Sequence, residues 1–264
     1  MINRYEKNEK DEQAEIIKAF FPDDPDLMIN YISDFRELMM KYNAAIREIQ
    51  TKLEILNDEL SLNNRHSPIE NITSRIKKPM SIAKKLKDLD KEITLESIVE
   101  NLNDVAGIRV ICSFVDDIYK VAKMLASQDD ITVIKVKDYI KNPKPNGYRS
   151  YHMIVEVPVF FSDSKQPMRA EVQIRTIAMD FWASLEHKIY YKYNKEVPAE
   201  LIGELKEAAD SVSQLDEKMA NINRKISRYK ENDDSDDGLL ELLINNEKFN
   251  IPQDFVTQFI TLYE

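Results

Sequence analysis

From Glu171 to His187 the sequence reads EVQIRTIAMDFWASLEH. Its first five residues alternate, with Glu171, Gln173 and Arg175 on one side of a strand and Val172 and Ile174 on the other. Helical spacing follows, with Met179, Trp182, Ala183 and Glu186 on one stripe. A carboxylate, an amide and a guanidinium therefore lead directly into a helix bearing the only tryptophan and a second carboxylate. Such a set forms the wall of a polar cleft rather than the outside of a domain. A second group of reactive types lies at positions 75 to 87 (RIKKPMSIAKKLK), which hold six cations and no anion. A third lies at 135 to 149 (KVKDYIKNPKPNGYR), with five cations against Asp138. Two basic islands on a chain of net charge −10 point to a local anion site, such as a nucleotide's phosphate tail.

Phosphoryl-type transfer develops negative charge on non-bridging oxygens and on the leaving phosphate. Positioned cations stabilise that charge, and arginine does so with two parallel hydrogen bonds. Arg75, Lys77, Ser81 and Lys85 are suited to lining a triphosphate, and Ser81 and Lys85 share a helix face four residues apart. Asp104 precedes an apolar run and Glu171 lies on a strand; carboxylates from adjacent strands can share a hard cation through oxygen ligands. Tyr148 follows Asn146-Gly147 in a loop, where an exposed aromatic face can stack on a base. Met179 and Trp182 read as core, and His66 and His187 as structural. Cys112, in GIRVICSF, reads as a buried, inert thiol. As the sole cysteine it excludes an intramolecular disulfide and a multi-cysteine zinc site.

The elements that must position these groups follow from periodicity and punctuation. A weak helix is expected around Ala14 to Phe21. Asp24-Pro25 caps and opens a helix whose stripe (Leu27, Tyr31, Leu38, Tyr42, Ile46, Ile49, Leu53, Leu56, Leu60) carries it to about Leu62. Residues 63 to 80, with Pro68 and Pro79, read as irregular. Helices are expected over Ser81–Leu89, Leu95–Asn103, Asp116–Ser127 and Thr176–Lys192. Strands are expected over Gly107–Phe114, Ile131–Val136, Met153–Val157 and Arg169–Ile174, the last two as a hairpin around Phe160 to Pro167. The prolines and Asn146-Gly147 make Tyr139 to Ser150 a loop. Pro198 opens a helix reaching about Tyr229, followed by an acidic linker (ENDDSDDG) and a short amphipathic element from 239 to 263. Strands mixed irregularly with helices give an α+β fold with a mixed sheet.

The 264 residues allow one large domain, or one domain with appendages. No apolar run would cross a bilayer and the N-terminus lacks a signal-peptide core, so a soluble cytoplasmic protein is expected. The acidic balance argues against a stable nucleic-acid complex. The four glycines form neither GxxxxGK[ST] nor GxGxxG, so phosphates must be held by side chains.

Four segments together resemble the synthetase domain of the RelA/SpoT-type alarmone synthetases, above all the stand-alone small alarmone synthetases. They are SRIKKPMSIAKKL (74–86), NDVAGIRVIC (103–112), PKPNGYRSYH (143–152) and EVQIRT…MDFWASLEHKIYYK (171–192), in the family's order. The resemblance covers about residues 25 to 195. It implies a nucleotidyltransferase-like synthetase domain flanked by helices. The chain departs from the family pattern at both ends, in an N-terminal extension at 1–24 and, after a C-terminal helix at 196–230, in an acidic linker and short tail element at 231–264. It implies transfer of pyrophosphate from ATP to the 3′-hydroxyl of GTP or GDP, giving AMP and pppGpp or ppGpp, with Mg2+ required. It assigns Arg75, Lys77, Ser81, Lys85 and Arg109 to ATP, the two arginines bracketing the adenine. Asp104 is assigned to magnesium, and Glu171 to metal contact or the general-base role. Tyr148 would stack on the acceptor guanine, Lys144 and His152 would meet its 5′ phosphates, and Gln173 and Glu186 would shape its pocket. Family members of this size commonly form homotetramers through their helices, so a homo-oligomer is expected.

Two other readings use the same residues. One keeps the donor site and changes the acceptor to an adenine nucleotide or the 3′ end of tRNA, as in toxin-like relatives. The other is a non-catalytic nucleotide sensor or RNA-binding regulator, indifferent to loss of Asp104 or Glu171. None of the three histidines is followed by aspartate, so the His-Asp hydrolase site of long relatives is not expected, and the chain should make alarmone without degrading it.

Overall fold

Asp24 accepts hydrogen bonds on Oδ1 from the backbone N–H groups of Asp26 (2.8 Å) and Leu27 (3.3 Å), which fixes the start of a 40-residue helix, α1 (Pro25–Asn64). Its three- and four-residue spacing buries Tyr42, Ala45, Ile46, Ile49, Leu53, Leu56 and Leu60 along one stripe. The computed structural model describes residues 24–64, 67–192, 198–233, 239–244 and 247–252. The helix expected around Ala14 to Phe21, and His66, lie outside them.

After α1 come β1 (Ile69–Ile76), α2 (Pro79–Asp88), α3 (Leu95–Asn101), β2 (Ala106–Cys112), α4 (Val115–Ala126), β3 (Thr132–Asp138), β4 (Tyr151–Phe160), β5 (Lys165–Thr176), α5 (Ile177–Lys192) and α6 (Ala199–Asp233). Five strands form one sheet in the order β1-β2-β5-β4-β3. The β2–β5 pair is parallel and the others antiparallel, so the fold is α+β with a mixed sheet. α1 packs on one face of this sheet, with α4 beside it. That face is apolar by alternation: Ile108, Val110 and Cys112 on β2, Met153, Val155 and Val157 on β4, and Ala170, Val172 and Ile174 on β5 are all buried. Truncating one such side chain, Leu53 or Ile174, to alanine would cost about 2–5 kcal/mol. The same alternation sends Gly107, Arg109, Glu171, Gln173 and Arg175 to the opposite face.

Residues 63 to 80 are not irregular throughout, because β1 lies within them. It is an edge strand with a mostly exposed pattern, so it lacks the apolar alternation that marks an inner strand. The β4–β5 hairpin turns where expected, Phe160 pairing with Lys165. α6 extends four residues past Tyr229, to Asp233, so the acidic stretch begins as helix. The rest of that stretch, 234–238, lies outside the described residues. The chain divides into two compact units after Asp216. In the second, the expected amphipathic element is a β-hairpin of β6 (Leu239–Ile244) and β7 (Glu247–Pro252).

Candidate active site

Strand register builds the polar face in rows. Arg75 on β1, Gly107 on β2 and Glu171 on β5 are successive cross-strand partners; in the next row so are Thr73, Arg109, Gln173 and His152. Paired residues project from the same face. A cleft of about 230 Å³ opens over these rows, lined by Arg75, Asp104, Gly107, Arg109, Glu171 and Gln173 among others.

On one side of the cleft, Asp104 Oδ2 accepts from Lys77 Nζ (2.7 Å) and from Lys85 Nζ (2.6 Å). Burial alone would raise the Asp104 pKa, but these two hydrogen bonds and the lysine charges outweigh it and hold the carboxyl below its usual value. Asp104 Oδ1 is buried without a hydrogen-bond partner. Arg109 shares Asp180 Oδ1 with Arg175, at 3.4 and 3.2 Å. Burial lowers the pKa of Arg109, as do the neighbouring charges of Arg175 and Arg75, against the opposing pull of Asp180.

On the other side, Glu171 Oε1 lies 3.2 Å from His152 Nδ1, and its Oε2 accepts from Gln173 Nε2 at 2.7 Å. Burial pushes the Glu171 carboxyl upward, but the His152 and Gln173 hydrogen bonds prevail and leave its pKa lowered. His152 Nε2 lies 2.9 Å from Tyr148 Oη. The Tyr148 ring has Lys144 Nζ 4.7 Å and the Arg175 guanidinium 5.1 Å from its centre. Glu186 Oε1 accepts from Asn146 Nδ2 at 3.1 Å, which ties α5 to the loop before Tyr148.

Most of the residues expected from the sequence are therefore gathered on one face. Ser81 departs from this: it is exposed in the first turn of α2 and does not line the cleft. Tyr148 is half-buried rather than exposed, because it packs against the cluster of Trp182, Ala183 and Ala209. Met179 and Trp182 are core, and the Trp182 indole N–H donates to Leu205 O at 3.1 Å. Cys112 is fully buried, and burial pushes its thiol pKa far up. In the sequence Arg175 reads only as part of the polar wall, and Asp180 and Asn146 carry no site role. Asn146 reads there as a turn residue, and Asp180 has no reading of its own. Only Arg175, in step with Glu171 and Gln173, carried a usable signal.

Among the described residues no cluster of three or more histidine, cysteine or acidic groups could cage a metal. Two carboxylates on one cleft, one with an unpartnered oxygen, fit a cation that takes one or two protein carboxylates and completes its shell with phosphates and water.

A mixed sheet whose polar face sets two ionised carboxylates among arginines and lysines defines a nucleotide-handling transferase of nucleotidyltransferase-like architecture. Residues 74–196 match the family model described as the region found in RelA / SpoT proteins. The GTP pyrophosphokinase YwaC of Bacillus subtilis (strain 168) is 48% identical over 195 residues, 74% of this chain and 93% of that one. The chain belongs to the RelA/SpoT family, in the branch of the small alarmone synthetases. The crystal structure of small alarmone synthetase 2 from Bacillus subtilis aligns with a TM-score of 0.67 at 48% identity, over 73% of this chain and 99% of that one. Small alarmone synthetase 1 from the same organism, bound to its product pppGpp, aligns with a TM-score of 0.67 at 37% identity, covering 73% and 98%. Its complex with AMPCPP aligns with a TM-score of 0.62 at 34% identity, covering 74% and 99%.

Proposed function

We propose that this protein is a GTP pyrophosphokinase that transfers pyrophosphate from ATP to the ribose 3′-hydroxyl of GTP or GDP. The observation that carries the reading is the cleft shared by Asp104, in the loop that leads into β2, and Glu171 on the adjacent strand β5, flanked by Arg75 and Arg109. The relatives' names and bound nucleotides agree with it. The acceptor 3′-oxygen attacks the β-phosphorus of ATP, the bond from that phosphorus to the α,β-bridging oxygen breaks, and AMP leaves. Glu171, held ionised by its donors, accepts the hydroxyl proton.

Arg75 and Arg109 bind the donor, while Lys77 and Lys85, aligned by Asp104, meet its phosphates together with Ser81 from the first turn of α2. Tyr148 stacks on guanine where the exposed Lys144 side chain now lies over its ring and can move aside. Lys144 and His152 meet the acceptor phosphates, and Gln173 and Glu186 complete that pocket. Asp104 and Glu171 would hold Mg2+, which when bound neutralises phosphate charge and acidifies the attacking hydroxyl. Residues 25–195 form the synthetase domain on this reading, and the enzyme works in the cytoplasm as a homo-oligomer, a tetramer by preference. No helix among the described residues is long and apolar enough to cross a membrane.

The test is chromatography of ATP with GTP or GDP and magnesium. The expected products are AMP and a guanosine nucleotide gaining two phosphates. AMP production only with an adenine nucleotide or tRNA as acceptor would replace the guanosine reading, and no turnover with any acceptor would refute the transferase.

A further inference from the structure

Arg175 is 4% exposed, yet its guanidinium reaches four partners. Nη2 donates to Tyr148 Oη (2.5 Å) and to Gln173 Oε1 (2.9 Å). Nη1 donates to Asp180 Oδ1 and Nε to Ser150 Oγ, each at 3.2 Å. Two bridges run from Nη2 to Glu171. The short one is Gln173, whose amide takes Arg175 on its oxygen and gives Glu171 its NH2. The long one passes through Tyr148 Oη and His152, which lies between Tyr148 on Nε2 and Glu171 on Nδ1. Together they close a ring of five side chains.

An arginine can only donate and a carboxylate can only accept. With such groups at the two ends and a neutral imidazole between them, each bridge has one consistent direction. The Tyr148 hydroxyl accepts from Arg175 and donates to His152 Nε2, so the imidazole proton sits on Nδ1 and points at Glu171. The Gln173 amide can take only one of its two flips. We propose that Arg175 is a positioning residue of the acceptor side: its buried, donor-only guanidinium sets the direction of both hydrogen-bonded bridges and so fixes the Tyr148 hydroxyl, the Gln173 amide and the His152 tautomer. Asp180 and Ser150 hold the guanidinium in turn. The catalytic consequence rests on the reading of this site as a pyrophosphokinase; the hydrogen-bond order does not.

The test is 15N NMR of the imidazoles in the ligand-free protein, with His152 assigned by its loss in His152→Asn. Wild type is expected to show the Nδ1–H tautomer. Arg175→Gln, which can accept as well as donate, is expected to show a mixed population, and Arg175→Lys, which still only donates, a population nearer wild type. An Nε2–H tautomer in wild type overturns the proposal without recourse to any variant. So does an unchanged tautomer in folded Arg175→Gln, or a lysine variant no closer to wild type than the glutamine one. In turnover, Arg175→Gln is expected to raise the acceptor KM about tenfold or more and the ATP KM far less. Equal rises overturn the acceptor-side assignment. Absence of wild-type turnover would instead defeat the pyrophosphokinase reading and leave the tautomer result to decide the hydrogen-bond order.

Discussion

Gly107 and Glu171 are direct partners across the parallel β2–β5 pair, and Arg75 pairs with Gly107 from its other side. The middle of the row thus carries no side chain between a guanidinium and a carboxylate, and the cleft opens there.

A β-carbon at Gly107 would meet Arg75 Cγ and O at 3.7 Å, ordinary contact, and the backbone is not left-handed. Gly107→Ala is therefore expected to fold with stability within about 1 kcal/mol of wild type. Gly107→Leu should fill the cleft and weaken a non-hydrolysable ATP analogue by more than about tenfold with little change in melting temperature. Calorimetric titration and thermal melts check both, and undiminished analogue binding by the leucine variant would place the donor elsewhere.

On the proposed reading Tyr148 offers the acceptor side its aromatic surface. Base–aromatic stacking contributes about 1–3 kcal/mol, so Tyr148→Ala should raise the acceptor KM by about ten- to a hundredfold while the ATP KM moves little. Steady-state kinetics with each substrate varied in turn would show it. A matching loss for ATP would mean that Tyr148 supports the whole cleft rather than a base.

Gly147, next to Tyr148, has φ +87°, and a β-carbon there would lie 2.4 Å from Ala209 Cβ on α6. Gly147→Ala combines left-handed strain with overlap and is expected to cost about 2–4 kcal/mol in urea unfolding. Ala209→Gly in the same chain should return the part due to overlap and leave the part due to φ. No recovery in the double variant would mean that backbone conformation alone requires the glycine.

The polar row on β5 is legible because alternation there is strict from Met168 to Ile174: Val172 and Ile174 are fully buried while Glu171 and Gln173 face the cleft. β1 is not, because an edge strand with one buried residue in eight has no apolar signal, and the flanking prolines read as loop. The cost was specific: the sequence leaves Arg75 in an irregular stretch before the basic helix, whereas it stands on a strand and reaches the site by its pairing with Gly107. Helical spacing relates Ser81 to Lys85 but does not say which turn faces Asp104, and in the structure Ser81 stands exposed in the first turn of α2. The roles of Asp180 and Asn146 depend on contacts with Arg109, Arg175 and Glu186, up to 71 positions away in sequence for Asp180 and Arg109, and no local pattern encodes those.

Asp216 on α6 is buried and accepts from Thr176 Oγ1 at 2.7 Å, while that same oxygen accepts from Met179 N and so caps α5. Burial raises the Asp216 pKa, and the Thr176 hydrogen bond and the Arg149 charge only partly oppose it. Between the unfolded value, about 3.9, and the raised folded value, the native state binds more protons than the unfolded chain. Stability therefore falls as pH rises through that window, and the cost is complete above the folded pKa. Asp216→Asn keeps an oxygen for Thr176 and cannot ionise. It is expected to be more stable than wild type at neutral pH, with an advantage that shrinks as pH falls through the raised pKa and levels off below about pH 4. Urea midpoints of both proteins along a pH series measure the difference directly. A wild type more stable at neutral pH than the asparagine variant would mean that attraction to Arg149 exceeds the cost of burying the carboxylate.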